Sequence, residues 1–129
     1  MGFGQVIIPS LRCLDIGQTR AFYVDRLGFT LSGAWPATEP TWIEVSRDGI
    51  TLQFSAEPCQ GEPDAPVMSG VLYFRPDSVR DVASALSSDV DVAWGPEVMP
   101  YGMLEFAIRD PNGYILAFTE PAAAEGPGG

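Results

Sequence analysis

The sequence of 129 residues contains no histidine, no lysine and only two cysteines. Without histidine, Ser-His-Asp and Cys-His catalysis, imidazole ligation of a metal ion and proton shuttling near pH 7 are excluded. Any chemistry must therefore use carboxylates, tyrosine, cysteine or the backbone. Cys13 and Cys59 lie far apart and belong to no Cys-x-x-Cys pattern. We expect them to be buried reduced thiols rather than a redox or zinc site.

Positive charge is scarce, with seven arginines against 17 acidic residues and a formal net charge of -10. The arginines are scattered singly and form no basic stripe. Because an acidic chain repels phosphate backbones, we expect no nucleic acid partner. The acidity serves solubility, or it concentrates a cationic ligand, and the composition leaves both interpretations open.

Long hydrophobic runs are also missing, since none approaches the ~20 apolar residues of a membrane span. The short run Val6-Ile7-Ile8 has no basic residues before it and predicts an N-terminal strand within residues 1–11 rather than a signal peptide. We therefore expect a cytoplasmic protein without a membrane partner. A composition of 46% hydrophobic and 19% charged residues is typical of a globular protein, and the length indicates one domain.

An internal repeat organises the chain. Residues 48–55, Asp-Gly-Ile-Thr-Leu-Gln-Phe-Ser, return at 112–119 as Asn-Gly-Tyr-Ile-Leu-Ala-Phe-Thr. Each copy follows a strand-like segment and, further upstream, a strand and a helix. We predict an α+β fold of two tandem βαβββ modules whose small sheets form one cupped mixed sheet. The single domain covers 1–121, with modules at about 5–57 and 70–121, a linker at 58–69 and a flexible tail at 122–129.

One amphipathic helix is predicted in each module. The first follows Asp15 and ends at Gly28. Its predicted buried face consists of Ala21, Phe22 and Leu27. The second has Ser78 or Asp77 as its N-cap. Its apolar stripe consists of Val79, Val82, Ala83 and Leu86.

Two hairpins are predicted around the repeated segments. A two-residue Asp48-Gly49 turn pairs Glu44 with Gln53, Val45 with Leu52 and Ser46 with Thr51. The resulting polar face consists of Trp42, Glu44, Ser46, Thr51 and Gln53, and it suits a wet cavity. In the second hairpin the longer turn at 110–113 leaves the register open, and with it the side on which Glu105 lies. The expected helix-facing residues there are Leu104, Phe106, Ile108, Tyr114, Leu116 and Phe118.

Three motifs carry a family resemblance, at residues 8–15 (IPSLRCLD), 20–29 (RAFYVDRLGF) and 109–114 (RDPNGY). With these motifs the sequence resembles the vicinal oxygen chelate superfamily of glyoxalase I, ring-cleaving dioxygenases, fosfomycin-resistance enzymes and bleomycin-resistance proteins. Enzymes of that superfamily bind a divalent metal through His, Glu or Gln. By motif spacing, the corresponding positions here are Ile8, Gln53, Val71 and Ala117. Three of the four are apolar, so we expect no metal ligands and no cofactor, unless Glu44 and Glu105 both join Gln53.

The resemblance is nearest to the metal-free bleomycin-resistance type, through residues 40–54. It implies a non-catalytic protein that sequesters an antibiotic of the bleomycin-like or related cationic or planar type and confers resistance. It also implies a homodimer, with or without exchange of the N-terminal strand. One alternative is a metal-free or atypical-metal enzyme, isomerase or lyase-like, that uses Glu44, Glu105 or Tyr101. Another is a partner-binding or regulatory module.

Aromatic residues beside proline or glycine suggest flat stacking surfaces on loops, as at Trp35-Pro36, Trp94-Gly95-Pro96 and Tyr101-Gly102. Neighbouring carboxylates would attract a cationic ligand. No catalytic residue is predicted. The predicted ligand-binding residues are Trp35, Trp42, Glu44, Gln53, Tyr73, Trp94, Tyr101, Met103 and Glu105.

Overall fold

The computed structural model describes residues 1–57 and 64–123, which fall into two compact units, Met1–Val67 and Met68–Gly129. The first unit contains β1 (Ser10–Arg12), α1 (Ile16–Arg20) continued by a π-helical turn (Ala21–Arg26), β2 (Thr30–Trp35), β3 (Trp42–Arg47) and β4 (Ile50–Ser55). The second contains β5 (Leu72–Phe74), α2 (Val79–Leu86), β6 (Asp91–Val98), β7 (Met103–Arg109) and β8 (Ile115–Pro121). The predicted α+β class with two βαβββ modules is confirmed. Cys59 and half of the predicted linker lie outside the described residues, whereas Cys13 is buried.

Each unit has its own four-stranded mixed sheet, in the orders β1-β4-β3-β2 and β5-β8-β7-β6. The first and last strands of each unit pair in parallel, and the other pairs are antiparallel. No helix within the described ranges has the length and apolar character needed to cross a membrane.

The first hairpin has the predicted register, with Glu44 opposite Gln53 and Val45 opposite Leu52. Asp48 and Gly49 both have positive φ angles, of 52° and 80°. This is the conformation of the two-residue turns whose twist matches antiparallel strands. The turn therefore places one polar and one apolar face on β3 and β4.

The apolar face of the first sheet packs against α1 and the π-helical turn. The Tyr23 ring lies 4.7 Å from the Phe54 ring, and Leu27 is also buried. The predicted buried face of this helix was wrong in part, because Ala21 is exposed and Phe22 is only half-buried. The cause is the π-helical turn, in which the Leu27 N–H donates to the Phe22 carbonyl at 2.9 Å. A π-helical turn contains more residues than an α-helical turn. Buried residues such as Tyr23 and Leu27 are therefore four apart, instead of alternating between three and four apart as in an α-helix.

The N-terminal strand begins later than predicted. Val6 and Ile7 are exposed and belong to no strand, and β1 starts at Ser10. Proline has no N–H to donate to a strand ladder, and Pro9 is the point at which the pairing ends. Its carbonyl still accepts the Gln53 N–H at 2.9 Å.

In the second unit the hairpin register is now defined, with Phe106 opposite Phe118 and Ile108 opposite Leu116. The expected helix-facing residues lie on that side, and Glu105 lies on the other face. Asp110 holds the turn, because its Oδ1 accepts the N–H groups of Asn112 and Tyr114 at 2.8 and 2.9 Å. Of the two predicted N-caps of the second helix, Ser78 is the one observed, and its hydroxyl accepts the Asp81 N–H. The buried residues of this helix are Val79, Ala83 and Leu86.

Candidate functional site

Glu105 is the centre of a side-chain cluster on the face of the second sheet opposite α2. It lies in the middle of β7 and is only 1% exposed. Its Oε1 accepts a hydrogen bond from Trp94 Nε1 at 3.2 Å, and its Oε2 accepts one from the Tyr101 hydroxyl at 2.6 Å. Both oxygens of this buried carboxylate therefore have a protein donor, as a buried charged group requires.

An irregular stretch of β6 positions Trp94. The register with β7 shifts on both sides of Trp94, so the residue lies between two bulges. Gly95 follows with a φ of 80°. A Cβ atom at this position would overlap the carbonyl oxygen of Glu105, which shows how closely the two backbones approach. Glycine at this bulge thus allows the indole to reach the carboxylate.

Tyr101 comes from the tight turn between β6 and β7. The Gly102 N–H donates to the Met99 carbonyl at 2.9 Å and closes this turn. The hydrogen bond to Glu105 raises the pKa of Tyr101, with further increases from partial desolvation and from the charge of Glu105. Tyr101 is nevertheless 61% exposed. It is a neutral phenol at physiological pH, with a ring face open to solvent.

A cross-strand row completes this face. Trp94 lies opposite Ala107, Ala107 opposite Ala117, and Ala117 opposite Tyr73. The two alanines are buried, whereas Tyr73 is 54% exposed. The two small alanines thus lie at the centre of the row, and the larger side chains of Trp94 and Tyr73 lie at its ends. Met103, two residues before Glu105 on β7, is half-buried on the same side.

The first unit has a comparable group on the polar face of its sheet. Glu44 Oε2 accepts from Gln53 Nε2 at 3.0 Å, and Glu44 Oε1 accepts from Ser32 Oγ at 3.0 Å. Trp42 packs over Gly33, where an added Cβ would lie 3.1 Å from the ring. Trp35 is opposite Trp42 in the sheet and is 68% exposed. The nine predicted ligand-binding residues thus form two groups, one in each unit.

The sequence profile described as "Glyoxalase superfamily protein" matches residues 1–125. The chain belongs to the glyoxalase superfamily. This finding confirms the resemblance seen in the sequence motifs. No curated protein gives a significant sequence match to the chain.

Solved structures of similar fold cover nearly the whole chain. TnmS3, described as an antibiotic binding protein from Streptomyces sp. CB03234, is 25% identical with a TM-score of 0.75, covering 95% of this chain and 99% of its own. A glyoxalase/bleomycin resistance protein from the same organism is 26% identical with a TM-score of 0.66, covering 88% and 97%. A glyoxalase/bleomycin resistance protein/dioxygenase from Nocardioides is 18% identical with a TM-score of 0.75, covering 100% and 91%, and shows the fold alone.

The metal positions expected from the glyoxalase superfamily do not fit a divalent ion in this chain. Ile8, Val71 and Ala117 carry hydrocarbon side chains without a lone pair, and the Gln53 amide is bonded to Glu44. Within residues 1–57 and 64–123, no three side chains of the His, Cys, Asp and Glu types group together as metal ligands. A divalent ion needs several such ligands at once.

Thr119 is a residue of this face that was not among the predicted site residues. It lies opposite Glu105 on β8 and is 2% exposed. Its hydroxyl has no hydrogen-bond partner among the residues that the structure describes. The two-residue alternation of β8 predicts that Thr119 points away from the helix, since Phe118 faces it. The sequence did not determine the register of the hairpin, however, so it did not predict that Thr119 lies opposite Glu105.

Proposed function

We propose that this glyoxalase superfamily protein binds and sequesters a small-molecule antibiotic of the bleomycin-like or related cationic or planar type, without altering it, and confers resistance. The observation that carries the proposal is the Glu105 cluster. Its buried carboxylate holds Trp94 and Tyr101 in place while the Tyr101 ring stays exposed. Fixed, solvent-facing rings beside a negative charge suit a planar or cationic ligand.

The same contacts argue against acid-base catalysis. Glu105 accepts a hydrogen bond from the Tyr101 hydroxyl, and this contact raises the pKa of Tyr101, so the phenol is a weaker acid and the basic phenolate is scarce near neutral pH. Glu44 likewise accepts one hydrogen bond on each oxygen, from Ser32 and Gln53. These carboxylates therefore act as acceptors that position their neighbours.

Similarity to an antibiotic-binding protein supports this proposal. TnmS3 aligns over 95% of the chain, and its description names antibiotic binding. The acidic composition, with a net charge of -10, would raise the local concentration of a cationic compound. In this proposal the protein acts in the cytoplasm.

We further propose a homodimer in which the N-terminal segment before β1 packs on the second subunit. Phe3 and Ile7 are almost fully exposed in the single chain, and Val6 is 72% exposed. Apolar side chains grouped in this way are typical of a protein-protein contact. Sedimentation at micromolar concentration should give a dimer, and Val6→Asp combined with Ile7→Asp should give a monomer. A monomer for the unmodified protein would contradict this part of the proposal.

A thermal-shift screen tests the binding function. Bleomycin-type, mitomycin-type and DNA-intercalating peptide compounds are added separately, and the bound compound is recovered for mass spectrometry. We expect a rise in Tm with one class and recovery of the compound unchanged. Conversion of the compound would show an enzyme instead, and the absence of any shift would contradict binding of these classes.

Substitutions of exposed residues locate the binding surface. Tyr101→Ala should lower at least tenfold the affinity for the compound that raises the Tm, because the substitution removes an aromatic ring on which the compound can stack. Val98→Ala is a matched control, since Val98 is an exposed residue on β6. Expression in a sensitive bacterium should raise the inhibitory concentration of the compound, and Tyr101→Ala should reduce this protection.

A further inference from the structure

Thr119 carries a buried polar group for which the described residues supply no partner. Its hydroxyl lies on the same face as Glu105, directly across from it in the β7–β8 pair. Side chains directly opposite in an antiparallel pair have Cβ atoms about 4.5–5.5 Å apart. Leaving a buried hydroxyl unbonded is costly, so the position calls for a polar group that can reach both side chains.

The chemistry of the two side chains defines that group. Glu105 is an acceptor, and its two described donors occupy one site on each oxygen. A carboxylate has further lone-pair sites, and a threonine hydroxyl can also accept. A group with several N–H donors can therefore bridge Glu105 and Thr119. A primary ammonium supplies three such donors and a positive charge that the aromatic ring of Trp94 also attracts.

We propose that Glu105 and Thr119 form a subsite for a primary ammonium group, covered by Tyr101. This inference rests on the proposed binding function and names the ligand group that the second unit recognises. It adds Thr119, whose hydroxyl oxygen accepts one N–H hydrogen bond from the ammonium while Glu105 accepts another.

Access to the subsite depends on Tyr101. Glu105 and Thr119 are almost fully buried, whereas the Tyr101 ring is mostly exposed and is held to Glu105 through its terminal hydroxyl. Rotation of this side chain breaks its hydrogen bonds to Glu105 Oε2 and to Tyr73, and the ammonium replaces the bond to Oε2. The phenol leaves the carboxylate for solvent, and the ammonium takes its place as a charge-assisted donor. The exchange is favourable because the charged ammonium is a stronger hydrogen-bond donor to the carboxylate than the neutral phenol.

A pair of probes of the same shape tests the subsite. Benzylamine is protonated at neutral pH, and benzyl alcohol is neutral. The readout is the indole N–H resonance of Trp94 in ¹⁵N-labelled protein, because this N–H donates to Glu105. The chain has three tryptophans, so loss of one signal in Trp94→Phe assigns it. We expect benzylamine to shift this signal and to bind at least tenfold more tightly than benzyl alcohol.

Variants separate the two side chains. Thr119→Val keeps the shape of the side chain but removes the hydroxyl, and it should lower the affinity for benzylamine about tenfold. Thr119→Ser keeps the hydroxyl and should retain binding. Glu105→Gln should remove the preference for the amine over the alcohol. Thr51→Val, on the polar face of the first sheet, is the matched control and should change nothing.

Two results would overturn the subsite: equal binding of the amine and the alcohol, or unchanged benzylamine affinity in Thr119→Val. The outcomes also separate this inference from the proposed function. Antibiotic stabilisation without a benzylamine response would leave the binding function intact and reject the subsite. A benzylamine response that depends on Thr119, without antibiotic stabilisation, would support the subsite and reject the antibiotic.

Discussion

Tyr101 and Glu105 are joined by a hydrogen bond of 2.6 Å between a solvent-exposed ring and a buried carboxylate. This contact raises the pKa of Tyr101 above the ordinary tyrosine value of about 10. We therefore expect the Tyr101 Cζ resonance in a ¹³C NMR titration to change from phenol to phenolate at a higher pH than the resonance of an ordinary tyrosine. Glu105→Gln should return the pKa toward the ordinary value, and an ordinary pKa in the unmodified protein would contradict the assigned contact.

The same contact makes stability depend on pH at the alkaline end. Between about pH 10 and the higher folded-state pKa, the unfolded chain loses the Tyr101 proton and the folded chain keeps it. The stabilising contribution is therefore complete below pH 10 and is lost as the pH rises toward the higher folded-state pKa. Urea unfolding at pH 9, 10 and 11 should show a smaller decline for Tyr101→Phe than for the unmodified protein. Equal declines would argue against the linkage.

Removing the Thr119 hydroxyl should stabilise the unliganded protein. The hydroxyl is buried and has no partner within the described residues, and valine fills the same volume without a polar atom. Urea unfolding should show that Thr119→Val increases the free energy of unfolding by about 1 kcal/mol. Thr51→Val removes the hydroxyl of a half-buried residue and should change it by less. A loss of stability in Thr119→Val would mean that the hydroxyl has a structural partner.

The two hairpins show how far the sequence determines the site. At Asp48-Gly49 a two-residue turn allows one register, so the pairing of Glu44 with Gln53 was predictable from alternation alone. The longer turn at Asp110 permits several registers, and a shift by one residue would move Glu105 to the other face. Contacts of the whole sheet decide that register, and with it the cluster.

Two further departures from the sequence prediction have local causes. The π-helical turn after Arg20 brings Tyr23 into contact with Phe54, and the 3.6-residue pattern does not predict such a turn. The run Val6-Ile7-Ile8 has the composition of a strand, but it precedes Pro9, and strand pairing begins only after this proline. Composition identifies segments that can form an element, whereas backbone hydrogen bonding determines its exact type and where it begins.

Gly95 should tolerate no side chain, because β6 and β7 approach each other there. A Cβ would overlap the Glu105 carbonyl oxygen, and the φ of 80° disfavours any other residue. We expect Gly95→Ala to lower the free energy of unfolding by about 3 kcal/mol or more. Gly102 is the matched control, since its φ is 86° but no atom lies within 4 Å of the added Cβ. Gly102→Ala should therefore cost only about 1 kcal/mol, and equal losses would contradict the close approach.

Divalent metal ions should leave the stability of the protein unchanged. Of the four positions implied by the superfamily, only Gln53 offers an oxygen, and its amide nitrogen is committed to Glu44. A metal with a Kd of about 10 μM, added at about 1 mM, would stabilise the folded state by roughly 2.7 kcal/mol, which a thermal-shift assay resolves easily. Protein treated with EDTA and then given Mn²⁺, Ni²⁺ or Zn²⁺ should instead keep its Tm within error. A stabilisation of that size, reversed by the chelator, would show that side chains outside these four positions assemble a metal site and would reopen the catalytic alternative.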